Sequence, residues 1–190
     1  MSAPEQGGPI PEALARRVRL VVFDVDGVLT DAGVYMGILP GGEDVELKRF
    51  DIQDGLGLKL LQWAGLEVVL VSGRNSHATR VRAEELGVEL HQDDAAQKLP
   101  SIRGVMERLG IGWDEVAMLA DDLPDVAVLR LVGLKAAVSN AVPMVASMAD
   151  WRATRPGGRG AAREFCEALL EARGQLDEVV EAYVQERSGS

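Results

Sequence analysis

Apolar residues in this chain come in short unbroken runs, separated by longer stretches of helical period. Leu20-Val21-Val22-Phe23 runs straight into Asp24. Val68-Val69-Leu70-Val71 and Val116-Ala117-Met118-Leu119 repeat the pattern, and Leu134-Lys135-Ala136-Ala137-Val138 repeats it more weakly. A continuous run of four or five apolar residues predicts a strand buried on both faces. Between the runs, Leu56, Leu60 and Leu61 share a helical face before Gly65. Val81 and Leu86 precede Gly87, and Ile102, Val105, Met106 and Leu109 precede Gly110. Each glycine falls where a helix C-terminus needs one. Residues 161–172 and 175–187 read as two further helices. One segment breaks the alternation: Val34-Tyr35-Met36 and Val45-Glu46-Leu47-Lys48-Arg49-Phe50 flank Pro40-Gly41-Gly42, which predicts a β-hairpin over about 33–50. No internal repeat is visible.

Strands alternating with amphipathic helices imply right-handed crossovers. The predicted fold is α/β: a Rossmann-like, three-layer, mostly parallel sheet with a projecting hairpin and no large cap domain. Residues 1–15 read as a flexible tail, because Pro4, Gly7, Gly8, Pro9 and Pro11 oppose regular structure. The main domain is expected over 16–173, with a C-terminal helix and tail over 174–190.

Composition narrows the function. The 190 residues are 47% hydrophobic and 26% charged, enough for a buried core. The formal net charge of −10 argues against general nucleic-acid or anionic-membrane binding. No apolar run reaches the ~18 residues that span a bilayer. One cysteine, Cys166, excludes an internal disulfide. With no basic and apolar leader at the N-terminus, a soluble, cytoplasmic protein is expected. Cys166 reads as buried and inert, and His77 and His91 have no metal-ligand spacing.

Ligands of such sheets bind at the carboxyl ends of the strands. There the chain offers Asp24-Val25-Asp26-Gly27 after the first strand and Ser72-Gly73-Arg74 after the second. Lys98 opens the helix after a third strand, and the next strand ends Asp121-Asp122, with Asp125 shortly beyond. Carboxylates gathered at one edge repel unless a cation sits among them. Hard oxygen donors favour Mg²⁺, which readily shares a phosphate oxygen. Alternation turns the Asp24 and Asp26 carboxylates the same way, so one can attack while the other handles protons. Gly27 lets the chain turn away and is expected to leave room for a substrate.

Asp24-Val25-Asp26-Gly27-Val28-Leu29-Thr30-Asp31, Ser72-Gly73-Arg74, Lys98 and Ala120-Asp121-Asp122 together resemble the haloacid-dehalogenase-like phosphatase superfamily. The likeness is greater to its small capless branch, the 3-deoxy-D-manno-octulosonate 8-phosphate phosphatases. It is carried further by Asp54-Gly55-Leu56-Gly57, Arg82-Ala83, Glu85-Leu86-Gly87 and Gly157-Gly158-Arg159-Gly160-Ala161-Ala162-Arg163-Glu164, and spans roughly residues 18–174. The resemblance implies a Mg²⁺-dependent phosphomonoesterase of lipopolysaccharide biosynthesis. Asp24 would be the nucleophile and Asp26 the acid/base. Asp24, Asp26 (through its backbone carbonyl) and Asp121 would hold the metal. Asp122 would either support the ligands or cap the next helix, and Asp125 reads as a helix-dipole partner rather than a ligand. Ser72 and Lys98 would bind the phosphoryl group. Asp26, Asp51, Ile52, Gln53, Asp54, Gly55, Lys59, Arg74, Arg82, Lys98 and Arg159 would surround the phosphorylated sugar acid. A homotetramer is implied, its hairpins packed together through Tyr35, Met36 and Phe50. A neighbour's Gly157-Gly158-Arg159-Gly160 segment would close the site.

Two positions depart from the pattern. Ala120 stands where the family usually has Gly, at a cost of about 1 kcal/mol if positive φ is required there. Gln53 stands where octulosonate relatives usually carry Arg, so a nine-carbon or other sugar phosphate is the alternative substrate. Outside this class, a non-catalytic phospho-acceptor module or a structural paralogue would share the acidic edge. Gly55-Leu56-Gly57 is not a dinucleotide loop, because Leu60 replaces the third glycine.

Overall fold

The computed structural model describes residues 5–95 and 97–188. Among the described residues, six strands form one parallel sheet: β1 (Leu20–Asp24), β4 (Glu67–Ser72), β5 (Glu89–Gln92), β6 (Val116–Ala120), β7 (Leu134–Ala137) and β8 (Trp151–Arg152). Their order across the sheet is β5-β4-β1-β6-β7-β8. The chain winds outward from β1 in one direction, then returns and winds outward in the other. The point of reversal lies between β1 and β6, where Leu20 pairs with Val116 and Phe23 with Leu119. Strand ends splay at such a reversal and leave a crevice.

β1 is fully buried, and its side chains alternate between two cores. Val21 and Phe23 face the layer of α2 (Ile52–Trp63), α3 (His77–Leu86) and α7 (Ala161–Ala172). Leu20 and Val22 face the layer of α4 (Lys98–Leu109), α5 (Val126–Leu129) and α6 (Pro143–Met148). Phe165 of α7 anchors the first layer, its ring edge-on to Phe23 at 6.1 Å and tilted against Trp151 at 5.4 Å. The final helix, α8 (Leu176–Arg187), sets Tyr183 against Trp63 of α2.

Two expectations change here. Residues 6–15 are not a free tail. Gly7 N donates to Arg152 O at 2.8 Å, Trp151 Nε1 donates to Gly8 O at 2.7 Å, and Ile10 and Ala15 are buried. The segment, with α1 (Glu12–Ala15), runs along the outer edge of β8 and covers an otherwise open strand edge. Prolines are tolerated there because an edge need not donate every N–H. Residues 1–4 lie outside the described residues. Ala120, in turn, costs nothing. Among the described non-glycine residues only Ala32 has a positive φ, and Ala120 sits in ordinary strand geometry.

The predicted hairpin is present as β2 (Tyr35–Ile38) antiparallel to β3 (Asp44–Leu47). It projects from the sheet, with Met36 68% and Ile38 74% exposed. A lone two-stranded ribbon is marginal in water, so its base needs anchoring. Thr30 and Phe50 pair across that base, and Arg49 Nη1 donates to Gly158 O at 2.6 Å.

Candidate active site

The residues that follow β1, β4 and β6, with the first residue of α4, converge at the crevice between β1 and β6. Asp24 ends β1 and is buried. Its Oδ1 accepts from Lys98 Nζ, and the same ammonium lies 2.5 Å from Asp125 Oδ1. Oxygens of Asp24, Asp121 and Asp125 all lie within 4.8 Å of one another. A cavity of about 170 Å³ opens beside them, lined also by Asp26, Gly73 and Arg74.

Gly27 has φ 109°, and a Cβ there would overlap the Asp121 carboxylate. The room that glycine leaves is therefore taken by Asp121, not by a substrate. Asp125 also departs from expectation. It is 1% exposed and ion-paired, so it belongs to the charged centre rather than to a helix dipole alone. Asp122 caps the 3-10 turn that follows, its side chain accepting from Leu123 N at 2.7 Å.

Burial and the surrounding carboxylates govern the titration of this group. Burial, then Asp125, push Asp24 well above the usual carboxylate range, against the pull of Lys98. Burial, Asp125 and Asp122 raise Asp121 to about 7. Burial raises Asp125 as well, opposed by Lys98. For Lys98, burial works against the charged form, but Asp24 and Asp125 override it and carry the amine above its ordinary value. The donor set is all carboxylate, with Asp24 and Asp125 buried and Asp121 half-buried, and is short of positive charge, which fits a small hard divalent cation such as Mg²⁺.

Around this centre, Asp26 is held at both oxygens. Lys48 Nζ is 2.5 Å from Oδ1 and Ser72 Oγ is 3.0 Å from Oδ2. Ser72, at the end of β4, also accepts from Arg74 N at 3.1 Å. Arg74 lines the cavity, and its guanidinium meets Glu46 Oε2 of the hairpin at 2.7 Å. Lys48 and Glu46 carry no sequence signal beyond charge on an alternating strand.

The remaining expected residues disperse. Asp51 caps α2 by accepting from Gln53 N at 2.9 Å, and Ile52 is open to solvent. Gly55 lies beneath Arg82, which donates to Asp51 O at 3.2 Å and stands 5.9 Å over the Phe50 ring. Gln53 lines a different, larger cavity of about 520 Å³, with Arg155, Arg163 and Glu164. Asp54 faces the start of α7. It is 1% exposed and accepts from Gly160 N at 3.2 Å and Arg163 N at 2.9 Å, anchoring the start of α7. Lys59 donates to Leu86 O at 3.2 Å, tying α2 to the end of α3. Arg159 is exposed, 3.8 Å from Asp31. The glycines before it pack on their own chain. Gly158 N donates to Val28 O at 2.8 Å, and a Cβ on Gly157 would overlap the Gly27 carbonyl. This segment thus braces the loop after β1.

The raised carboxylates set a pH dependence. Asp24, Asp121 and Asp125 bind protons more tightly folded than unfolded, where the ordinary value is 3.8. Stability of the metal-free chain should therefore fall as pH rises from about 4 to about 7. Mg²⁺ should restore it above that window by replacing the protons. Urea midpoints at pH 5 and pH 8, with and without Mg²⁺, check this. The Mg²⁺ gain should vanish in Asp121→Asn; a metal-free midpoint that climbs toward pH 8 contradicts the reading.

Known proteins resemble this chain in sequence and in fold. No family model matches the chain. It is 40% identical over 166 residues to the 3-deoxy-D-manno-octulosonate 8-phosphate phosphatase of Escherichia coli (strain K12), spanning 87% of this chain and 86% of that one. The crystal structure of the corresponding phosphatase from Moraxella catarrhalis, in complex with magnesium ion, phosphate ion and KDO, superimposes with a TM-score of 0.82. Identity is 33%, over 90% of this chain and 97% of that one. The Yersinia pestis phosphatase structure gives a TM-score of 0.80 at 35% identity, over 87% and 88% of the two chains. With that likeness along nearly its whole length and the acidic crevice between β1 and β6, the chain belongs to the 3-deoxy-D-manno-octulosonate 8-phosphate phosphatase family of the haloacid-dehalogenase-like superfamily.

Proposed function

We propose that this chain hydrolyses 3-deoxy-D-manno-octulosonate 8-phosphate through an aspartyl phosphate on Asp24, with Mg²⁺ as cofactor. The observation that carries the reading is the meeting of Asp24, Asp121 and Asp125 oxygens within 4.8 Å, with Lys98 between two of them. Asp24 and Asp121 carboxylates, with the Asp26 backbone carbonyl, would hold the ion. Bound there, Mg²⁺ supplies positive charge that quiets repulsion between nucleophile and phosphoryl oxygens.

The chain's own groups do the rest. An Asp24 carboxylate oxygen attacks phosphorus, and the bond from phosphorus to the sugar oxygen breaks. Asp26 delivers a proton to that departing oxygen, since an alkoxide is a poor leaving group. It then takes a proton from the water that attacks the phosphoenzyme, releasing inorganic phosphate and restoring Asp24. Lys98 and Ser72 hold phosphoryl oxygens. Arg74, on the cavity wall, offers a two-pronged guanidinium to the sugar's carboxylate, while Arg82 and the start of α2 (Asp51, Ile52, Gln53, Gly55) lie outside this cavity and would meet only the far end of a longer substrate.

Phosphate release from the octulosonate phosphate should require Mg²⁺, and Asp24→Asn should lower it by about 10⁴-fold with the fold retained. Full activity in Asp24→Asn refutes the nucleophile assignment. A tenfold preference for a nine-carbon acid phosphate, about 1.4 kcal/mol, moves the substrate to that class. Slow phosphorylation without turnover favours a phospho-acceptor instead.

The apolar outer face of the hairpin supports a homotetramer built on it, with a neighbour's Gly157-Gly158-Arg159-Gly160 segment closing the site. Light scattering should give four times the 20.4 kDa chain mass. A monomer that loses nothing on Met36→Lys opposes this. No described helix is long and apolar enough to cross a membrane. With its one cysteine free and buried, the chain suits the cytoplasm.

A further inference from the structure

Lys48 stands just past β3, where the alternation of the hairpin would let it face water. Its side chain is instead 0% exposed. Burying an ammonium is costly unless carboxylates surround it. Two do: Asp26 Oδ1 at 2.5 Å and Glu46 Oε1 at 3.8 Å. Glu46 Oε1 is itself buried with no hydrogen-bond partner, and Oε2 of the same residue is taken by Arg74 at 2.7 Å. One carboxylate of the hairpin therefore spans from the cavity's guanidinium to the lysine behind Asp26.

Ser72 completes the arrangement. Its Oγ lies 3.0 Å from Asp26 Oδ2 and 3.1 Å from Arg74 O, so the hydroxyl can give its hydrogen to either. Turned to Arg74 O, or to a bound phosphoryl oxygen, it leaves a lone pair for a proton on Oδ2. An ammonium leaves no such choice at Oδ1, because Lys48 is a donor only. The two Asp26 oxygens thus differ: Oδ1 is fixed by Lys48, and Oδ2 can carry the proton.

We propose that Lys48 is a positioning residue for the phosphatase reaction. It locks the Asp26 carboxyl so that Oδ2 presents its proton to the departing sugar oxygen. The proposal rests on Asp26 being the acid. As the bond from phosphorus to oxygen breaks, the proton passes from Oδ2 to the leaving oxygen, and the charge left on Asp26 faces Lys48. A loosened carboxyl would harm transfer of the phosphoryl group to Asp24 in proportion to how much the leaving oxygen needs a proton.

Lys48→Met, Lys48→Arg and Asp26→Asn, compared with the unaltered Mg²⁺-loaded enzyme, separate the possibilities on two substrates. One is the octulosonate phosphate, whose leaving alkoxide needs protonation. The other is p-nitrophenyl phosphate, whose phenolate does not. Each loss is read in the first turnover, as release of the leaving group before water attacks the phosphoenzyme, because Asp26 serves that later step on both substrates. There Lys48→Met should lose about 100-fold on the sugar phosphate, as a displaced acid does. It should lose under about fivefold on the aryl phosphate, with KM of the sugar phosphate within about threefold. Lys48→Arg should recover about tenfold of the loss. Equal losses on both substrates, or a loss confined to KM, overturn the proposal and make Lys48 a structural or phosphate-holding residue. If Asp26→Asn is selective for the sugar phosphate while Lys48→Met is not, the Lys48 proposal alone fails. If Asp26→Asn loses equally on both, the acid reading beneath it fails. Should Lys48→Met not fold, Lys48→Gln is read by the same criteria.

Discussion

The ammonium of Lys98, held between the buried carboxylates of Asp24 and Asp125, is the contact on which the rest of the site depends. A lysine on the first turn of a helix sits at the wrong end of the helix dipole. Burial adds a desolvation penalty. Only facing carboxylates can offset both, and those come from β1 and from the turn after β6. The lysine therefore joins the two sides of the crevice between β1 and β6. With Asp121 added, the cluster remains net negative, which is why its carboxylates titrate high and why a divalent cation suits it.

Packing beneath the site serves that contact. The backbone after β1 must pass within touching distance of Asp121, which only Gly27 permits. Gly157 and Gly158 then press on the same loop from the other side, where a side chain would strike the Gly27 carbonyl or the Thr30 backbone. Asp54 fixes the start of α7 through two backbone N–H groups and so fixes where those glycines lie. Asp54, Gly157 and Gly158 thus work one layer beneath the carboxylates. They hold the loop that carries Asp24 and Asp26 in place, and precision in that loop is what phosphoryl transfer requires.

Much of this was legible in the chain. An apolar run that ends abruptly in Asp24 is a strand delivering a carboxylate, and the same logic places Ser72 and Asp121 at neighbouring strand ends. β5 was harder, because Glu89-Leu90-His91-Gln92 is a half-buried edge with no apolar run. β8 has only two residues. The packed segment 6–15 reads as a tail because its proline and glycine content predicts poor self-structure, and the edge of β8 that orders it is distant in sequence. Asp125 and Lys48 were opaque for the same reason. Charge on a first helical turn or on an alternating strand usually faces water, and only tertiary placement turns these two inward. Asp54 and Lys59 are the opposite case: polar groups near a candidate site whose bonds tie the fold together, Asp54 at the start of α7 and Lys59 between α2 and α3.

The central claim is that phosphorus passes through a covalent bond to Asp24. Rapid acid quench of the Mg²⁺-loaded enzyme during turnover, followed by borohydride reduction and peptide mass analysis, reads that bond directly. Conversion of Asp24 to homoserine, dependent on both substrate and Mg²⁺, is the predicted result. Continued phosphate release with Asp24 unmodified, or reduction at a different carboxylate, contradicts the account.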